Sequence, residues 1–85
     1  MTTKEIEVAR KGGLEARPVA VFVQIASQYK SSIYVQYEDK KVNAKSIMGM
    51  MSLSLAKGEK ITVSADGDDE EQALLGLEGY LLAKE

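Results

Sequence analysis

Apolar and polar side chains alternate in several short segments of this chain, as they do in strands with one buried face. In the clearest case, Ile33, Val35 and Tyr37 form an inward set and the residues between them face outward. The predicted strands are Lys4–Arg10, Ser32–Glu38, a short return strand beginning at Val42, and Lys60–Asp66. Because the polar segment 38–41 lies between two of them, we expect a hairpin there.

Three other segments have apolar residues at helical spacing. The first runs from Ala16 to Tyr29 and places Val19, Phe22, Val23 and Ala26 on one face. The second is Ile47–Leu53, and the third follows Glu70 with a stripe of Ala73, Leu74, Leu77 and Leu81. The order strand, helix, strand, strand, helix, strand, helix predicts an α+β sandwich of one sheet with helices on one face.

Length and composition exclude several classes of function, and they constrain the fold less. Eighty-five residues, 45% hydrophobic and 28% charged, predict one globular domain spanning residues 1–85. A net charge of −2 argues against direct binding to nucleic acid. The chain has no cysteine and no histidine, which excludes thiolate and imidazole chemistry. The longest apolar stretch, Val19–Val23, is too short for a membrane span, and no signal-peptide core precedes it, so we expect a soluble cytoplasmic protein.

Two segments could carry chemistry. The glycine-containing segment 12–18 enters the first helix, where backbone N–H groups attract anions, and it holds Glu15 and Arg17. The purely structural interpretation is a capped helix with an acidic residue in its first turn. Ser46 is placed to cap the second helix; most such serines only cap, but a phosphate there would be tolerated by the helix N-terminus.

Two further features have open interpretations. One helical stripe would hold Ile47, Met50 and Met51, and another would hold Met48, Met51 and Leu55. Since so short a helix cannot bury both, we expect one stripe in the core and the other exposed for docking, unless all the methionines fill core gaps. The acidic residues between 66 and 71 lack the spacing of a calcium loop and predict a solvated helix start. We therefore expect no metal site and no cofactor.

Two segments, 13–18 (GLEARP) and 42–53 (VNAKSIMGMMSL), resemble the HPr family, the small phosphocarriers of the bacterial sugar phosphotransferase system. The resemblance extends over nearly the whole chain. It implies an open-faced β-sandwich, with three helices on one face of a four-stranded antiparallel sheet. It also implies a relay histidine where this chain has Glu15, and a regulatory serine at Ser46.

The exchange at Glu15 points to the catabolite-repression branch of the family, Crh, which also lacks the histidine. By this resemblance, HPr kinase/phosphorylase would phosphorylate Ser46, and the product would act as corepressor of catabolite control protein A, a LacI-type repressor. The resemblance places the partner contacts at Arg17, Ala20, Lys45, Ile47, Met48 and Met51. The protein itself would contact neither DNA nor membrane and would not be an enzyme.

Two alternative functions and the oligomeric state stay open at this point. The chain could be an HPr phosphocarrier in which glutamate replaces the active-site histidine. It could instead be an effector of a metabolic enzyme that binds in its unphosphorylated form. A homodimer formed by exchange of the first strand, which a glycine-containing loop joins to the rest, is also conceivable.

Overall fold

The structure, a computed structural model, describes residues 1–10, 13–14 and 16–83. Over these residues the chain forms seven elements in the predicted order. They are β1 (Thr2–Glu7), α1 (Ala16–Ser27), β2 (Ser32–Tyr37), β3 (Lys40–Asn43), α2 (Ile47–Met51), β4 (Lys60–Asp66) and α3 (Glu70–Leu82). The strands form one antiparallel sheet in the order β1-β4-β2-β3. The predicted fold class, an α+β open sheet with three helices, is confirmed.

The core lies between the sheet and the helices. Alternate residues of the two central strands are buried, Ile33 and Val35 on β2 and Ile61, Val63 and Ala65 on β4. The predicted inner faces of α1 and α3 are buried against them, including Phe22 and Leu77, which are fully enclosed. Because each element buries only one face, the alternation and the helical spacing of the sequence both reflect this single core.

The structure corrects the ends of several predicted elements. The return strand begins at Lys40 and not at Val42, and β2 ends at Tyr37, one residue earlier than predicted. The first strand is Thr2–Glu7 and not Lys4–Arg10, because its pairing with β4 runs only from Thr2 opposite Ala65 to Glu7 opposite Lys60. Val8 is nevertheless fully buried, as its alternation predicted. The first helix ends at Ser27, and the next two N–H groups make tighter bonds three residues back, to Ile25 and Ala26.

The α2 helix is short and is held by both its neighbours. It spans five residues, against seven predicted, and packs between α1 and β3. After it, the chain returns to the segment that leads into α1, where the N–H of Leu14 donates to the carbonyl of Leu55 at 2.9 Å. Gly13 has a φ of +73°, and a Cβ there would lie 2.5 Å from that same carbonyl oxygen. The close approach therefore requires glycine at position 13.

Candidate functional site

Ser46 caps α2, as predicted. Its backbone is extended, and its Oγ accepts a hydrogen bond from the N–H of Gly49 at 3.1 Å. A Cβ at position 49 would lie 3.3 Å from Ser46 Oγ and 3.3 Å from the Cβ of Val42, so glycine leaves room for the hydroxyl. The capping bond uses a lone pair of Oγ and not its proton. A group that replaces this proton can therefore be added with the cap intact.

The helix that follows presents a small apolar surface to solvent. Met48 is 84% exposed, Ile47 48% and Met51 47%. We call these three residues the α2 patch. Met50, between them in sequence, is 1% exposed and belongs to the core, as do Leu53 and Leu55. An exposed apolar cluster on a rigid element is typical of a docking surface.

The prediction that one methionine stripe is wholly core and the other wholly exposed was wrong. Each predicted stripe is divided: Met50 is buried while Ile47 and Met51 are exposed, and Leu55 is buried while Met48 and Met51 are exposed. The reason is the length of the helix. A helix of five residues turns only one position fully toward the core, and Leu55 lies in the loop beyond it.

Lys45, predicted as a partner contact, is half-buried and already engaged. Its Nζ donates to the carbonyl oxygen of Tyr29, just after α1, at 2.8 Å. Its N–H donates to Oδ1 of Asn43 at 2.8 Å. A cation at this place satisfies a carbonyl near the negative end of α1 and ties α1 to the loop that carries Ser46. Sequence reasoning missed this contact, because its two ends are 16 residues apart.

The first five residues of α1 include two more predicted contacts. Arg17 is exposed and Ala20 is half-buried. Glu15, the predicted replacement for the relay histidine, lies outside the described residues. The adjacent segment 13–14 is joined to the loop after α2 through Leu14, and α1 and α2 pack against each other. The structure thus brings the segment that carries Arg17 and the α2 patch onto neighbouring elements.

A tyrosine near the C-terminus anchors the first turn of α1, which the sequence did not indicate. Tyr80 on α3 donates from its Oη to the carbonyl oxygen of Pro18 at 3.1 Å. The guanidinium of Arg10 lies 4.1 Å from the centre of the Tyr80 ring, and its Nη1 donates to the Tyr80 carbonyl at 3.2 Å. Such a stack is a cation–π contact. The last turn of α3 therefore helps to position the start of α1.

The acidic run at the start of α3 is only partly a solvated helix start. Asp69 accepts hydrogen bonds from the hydroxyl and N–H of Ser31 and from the N–H of Lys30, and these bonds lower its pKa. Glu70 accepts from the hydroxyl of Thr2 and from the N–H of Gly67, which lowers its pKa too. Both carboxylates fasten other elements to α3. Among the described residues, no cluster of acidic side chains has the arrangement of a metal site.

In the part of the chain that the structure describes, no helix is long and apolar enough to cross a membrane. Comparisons with known proteins match the chain over almost all its length. The family model for the PTS HPr component phosphorylation site matches residues 2–82. The HPr-like protein Crh of Bacillus subtilis (strain 168) is 47% identical over 81 residues, which cover 95% of this chain and 95% of that protein.

Solved structures agree with the sequence comparison. HPr-C-His from Thermoanaerobacter tengcongensis superposes with a TM-score of 0.91 at 51% identity, covering 95% of this chain and 91% of that one. The crystal structure of Bacillus subtilis Crh, described as a dimer with a swapped domain, gives a TM-score of 0.76 at 47% identity, covering 95% and 93%. These similarities are high enough to show the family as well as the fold.

Proposed function

The chain belongs to the HPr family, and from that premise we propose that it is a cytoplasmic regulatory protein of the Crh type and not a phosphocarrier or an enzyme. In this proposal residues 1–85 form one domain that acts in carbon catabolite repression. HPr kinase/phosphorylase phosphorylates Ser46, and the product is a corepressor of catabolite control protein A. The observation that carries the proposal is a capping serine placed directly beside an exposed apolar patch.

The sequence at position 15 supports the loss of relay function. A phosphohistidine relay needs an imidazole nitrogen that takes a phosphoryl group and passes it on, and this chain has no histidine. Glu15 stands where the family has that residue. A carboxylate carries a constant negative charge at neutral pH, where a relay site would be charged only transiently. Regulation through Ser46 does not require an imidazole at position 15.

The geometry of Ser46 supports phosphorylation without unfolding. A phosphoserine adds a charge of about −1.5 to −2 and three acceptor oxygens. Here they would stand at the start of α2, whose free N–H groups favour negative charge. Because the cap uses a lone pair of Oγ, the bond from Gly49 can persist in the ester. The modification therefore changes the surface and leaves the core in place.

The α2 patch and the phosphate would act together on the partner. Arginines of a LacI-type repressor would pair with the phosphate through charge-assisted hydrogen bonds, while Met48 and its neighbours are buried in apolar contact. Arg17 would pair with an acidic residue of the partner. Ala20 and Lys45, both half-buried, would contribute less area than the exposed residues.

The direct test joins modification to binding. The protein is incubated with HPr kinase/phosphorylase and ATP, the modified residue is mapped by mass spectrometry, and affinity for catabolite control protein A is measured by calorimetry. We expect modification at Ser46 and a gain in affinity that Ser46→Ala loses. Ser52→Ala is the matched control, because Ser52 is an exposed serine at the other end of α2. Phosphorylated protein with no gain in affinity would refute the proposal.

A relay assay separates this function from the phosphocarrier alternative. Radiolabelled phosphoenolpyruvate and enzyme I are supplied to the wild type and to Glu15→His. We expect no label on the wild type. Transfer of label through the wild type to a sugar permease subunit would establish the alternative function instead.

We also propose that the chain forms a homodimer by exchange of β1. The relative from Bacillus subtilis is described as a swapped dimer, and a second solved Crh structure is described as a dimer. Among the described residues, β1 is an edge strand whose one partner in the sheet is β4, so a second copy can supply an equivalent strand. Light scattering across a concentration series tests this: a constant monomer mass would contradict it.

A further inference from the structure

Three methionines occur within four consecutive positions of α2, and their surroundings differ sharply. Met48 is 84% exposed and Met51 47%, while Met50 is 1% exposed within the core. Thioether oxidation depends on access to the oxidant, so the first two sulfurs are open to attack and the third is shielded. A fourth methionine, Met1, is 76% exposed, and its N-terminal amine lies 3.8 Å from Oδ1 of Asp66 at the end of β4.

We propose that Met48 and Met51 form a reversible oxidation site, at which peroxide converts the α2 patch from an apolar surface into a polar one and switches docking off. Hydrogen peroxide transfers one oxygen atom to the thioether sulfur. The O–O bond breaks, the sulfur loses two electrons to form a sulfoxide, and water leaves. Thiol electrons delivered by a methionine sulfoxide reductase reverse the step and release the oxygen as water.

The fold should survive this oxidation. The side chain that holds α2 to the core is Met50, whose sulfur is enclosed with Leu53 and Leu55. The backbone of the helix is held independently by the bond from Gly49 to Ser46 Oγ and by those from Ser52 to Gly49 and Met48. None of these bonds involves the Met48 or Met51 side chains. Oxidation therefore alters what the patch offers to a partner and not how the helix is built.

Docking depends on the same two side chains. Apolar groups bind because they leave water, and a sulfoxide is a strong hydrogen-bond acceptor that would lose its water on burial. A single polar group in an apolar contact should lower affinity by about tenfold or more. This consequence rests on the proposed function. Oxidation of Met48 and Met51 would then oppose the effect of Ser46 phosphorylation on affinity. The phosphate adds a group that the partner recognises, and the sulfoxide oxygen removes apolar surface that the partner recognises.

The first test needs no partner. The protein is treated with graded hydrogen peroxide, and the modified methionines are mapped by mass spectrometry, with circular dichroism and retention on a phenyl column as further measurements. We expect Met48 and Met1 to react first, Met51 next and Met50 last, with the spectrum unchanged and retention reduced. Oxidation of Met50 as fast as Met48, or loss of the fold along with oxidation of Met48, would overturn the proposal.

The second test measures binding of Ser46-phosphorylated protein to the repressor before and after peroxide. We expect the wild type and Met50→Leu to lose affinity by about tenfold and to regain it with the reductase. The double variant M48L/M51L keeps a similar volume without sulfur, and it should bind equally before and after treatment although Met1 still reacts. Equal binding by fully oxidised wild type would overturn the switch.

The two proposals can fail separately. If the untreated phosphoprotein does not bind the repressor, the proposed function fails, and the oxidation map with column retention then decides on the oxidation site alone. If retention also stays the same while Met48 is fully oxidised, the patch does not change polarity and the oxidation proposal fails as well.

Discussion

Two methionines of one helix give the sharpest test of the site, because one belongs to the core and the other to the surface. Met50 is 1% exposed and Met48 is 84% exposed, two residues apart on α2. Met50→Ala and Met48→Ala remove the same atoms at the same helix propensity cost. Any difference between the variants therefore comes from burial alone.

The expected magnitudes follow from that burial. Truncation of a buried methionine to alanine costs about 2–5 kcal/mol of unfolding free energy, through lost burial and a residual cavity. For a domain of this size, that lowers Tm by about 8–40 °C. Truncation at an exposed site away from such features changes stability by less than about 0.5 kcal/mol. Met50→Leu, which nearly conserves volume, should cost less than about 1.5 kcal/mol.

The assay pairs urea unfolding, followed by circular dichroism, with calorimetric binding of the Ser46-phosphorylated variants to the repressor. Met50→Ala should lose stability but keep its affinity at low temperature, where it is still folded. Met48→Ala should keep stability and lose about tenfold in affinity. Equal destabilisation by the two variants would refute the division of the helix into core and patch. Equal affinity of Met48→Ala and wild type would refute the docking role of the patch.

Three further predictions concern the framework. Gly13→Ala should destabilise the protein by more than about 1 kcal/mol in urea unfolding, since it combines a positive φ with a backbone clash; an unchanged midpoint would contradict this. The hydroxyl of Ser31 and neighbouring N–H groups lower the pKa of Asp69, so their stabilisation is present above about pH 4 and is lost as pH falls through the lower native pKa. Asp69→Asn should therefore reduce the pH dependence of the free energy of unfolding in that range. An unchanged pH dependence in this variant would contradict the prediction. The hydrogen bond to Glu59, with smaller effects of burial and nearby carboxylates, raises the pKa of Tyr37 to about 12, so its tyrosinate absorbance should rise only above the range of ordinary tyrosines. That contribution is complete below about pH 10 and is lost toward pH 12.

Much of the framework could be predicted because its signals are local. The buried faces of α1 and α3 followed from helical spacing, and β4 runs over Lys60–Asp66 as its alternation predicted. Ser46 was identified as a cap from its place before an apolar helical segment, and the structure confirms the bond to Gly49. Each of these features depends on residues a few positions apart, where backbone geometry and side-chain periodicity are nearly independent of the rest of the chain.

The tertiary structure alone decided which residues meet across the chain. The strands pair in the order β1-β4-β2-β3, and the pairing of β1 with β4 ends at Glu7. The hydroxyl of Tyr80 donates to the carbonyl oxygen of Pro18, 62 positions away in sequence. It also decided that Met50 and not Met48 enters the core. Periodicity shows that a segment has an apolar face, but a helix of five residues is too short for the pattern to say which side chain turns inward. The neighbouring elements decide which side chain is buried, because α1 and β3 pack around this helix.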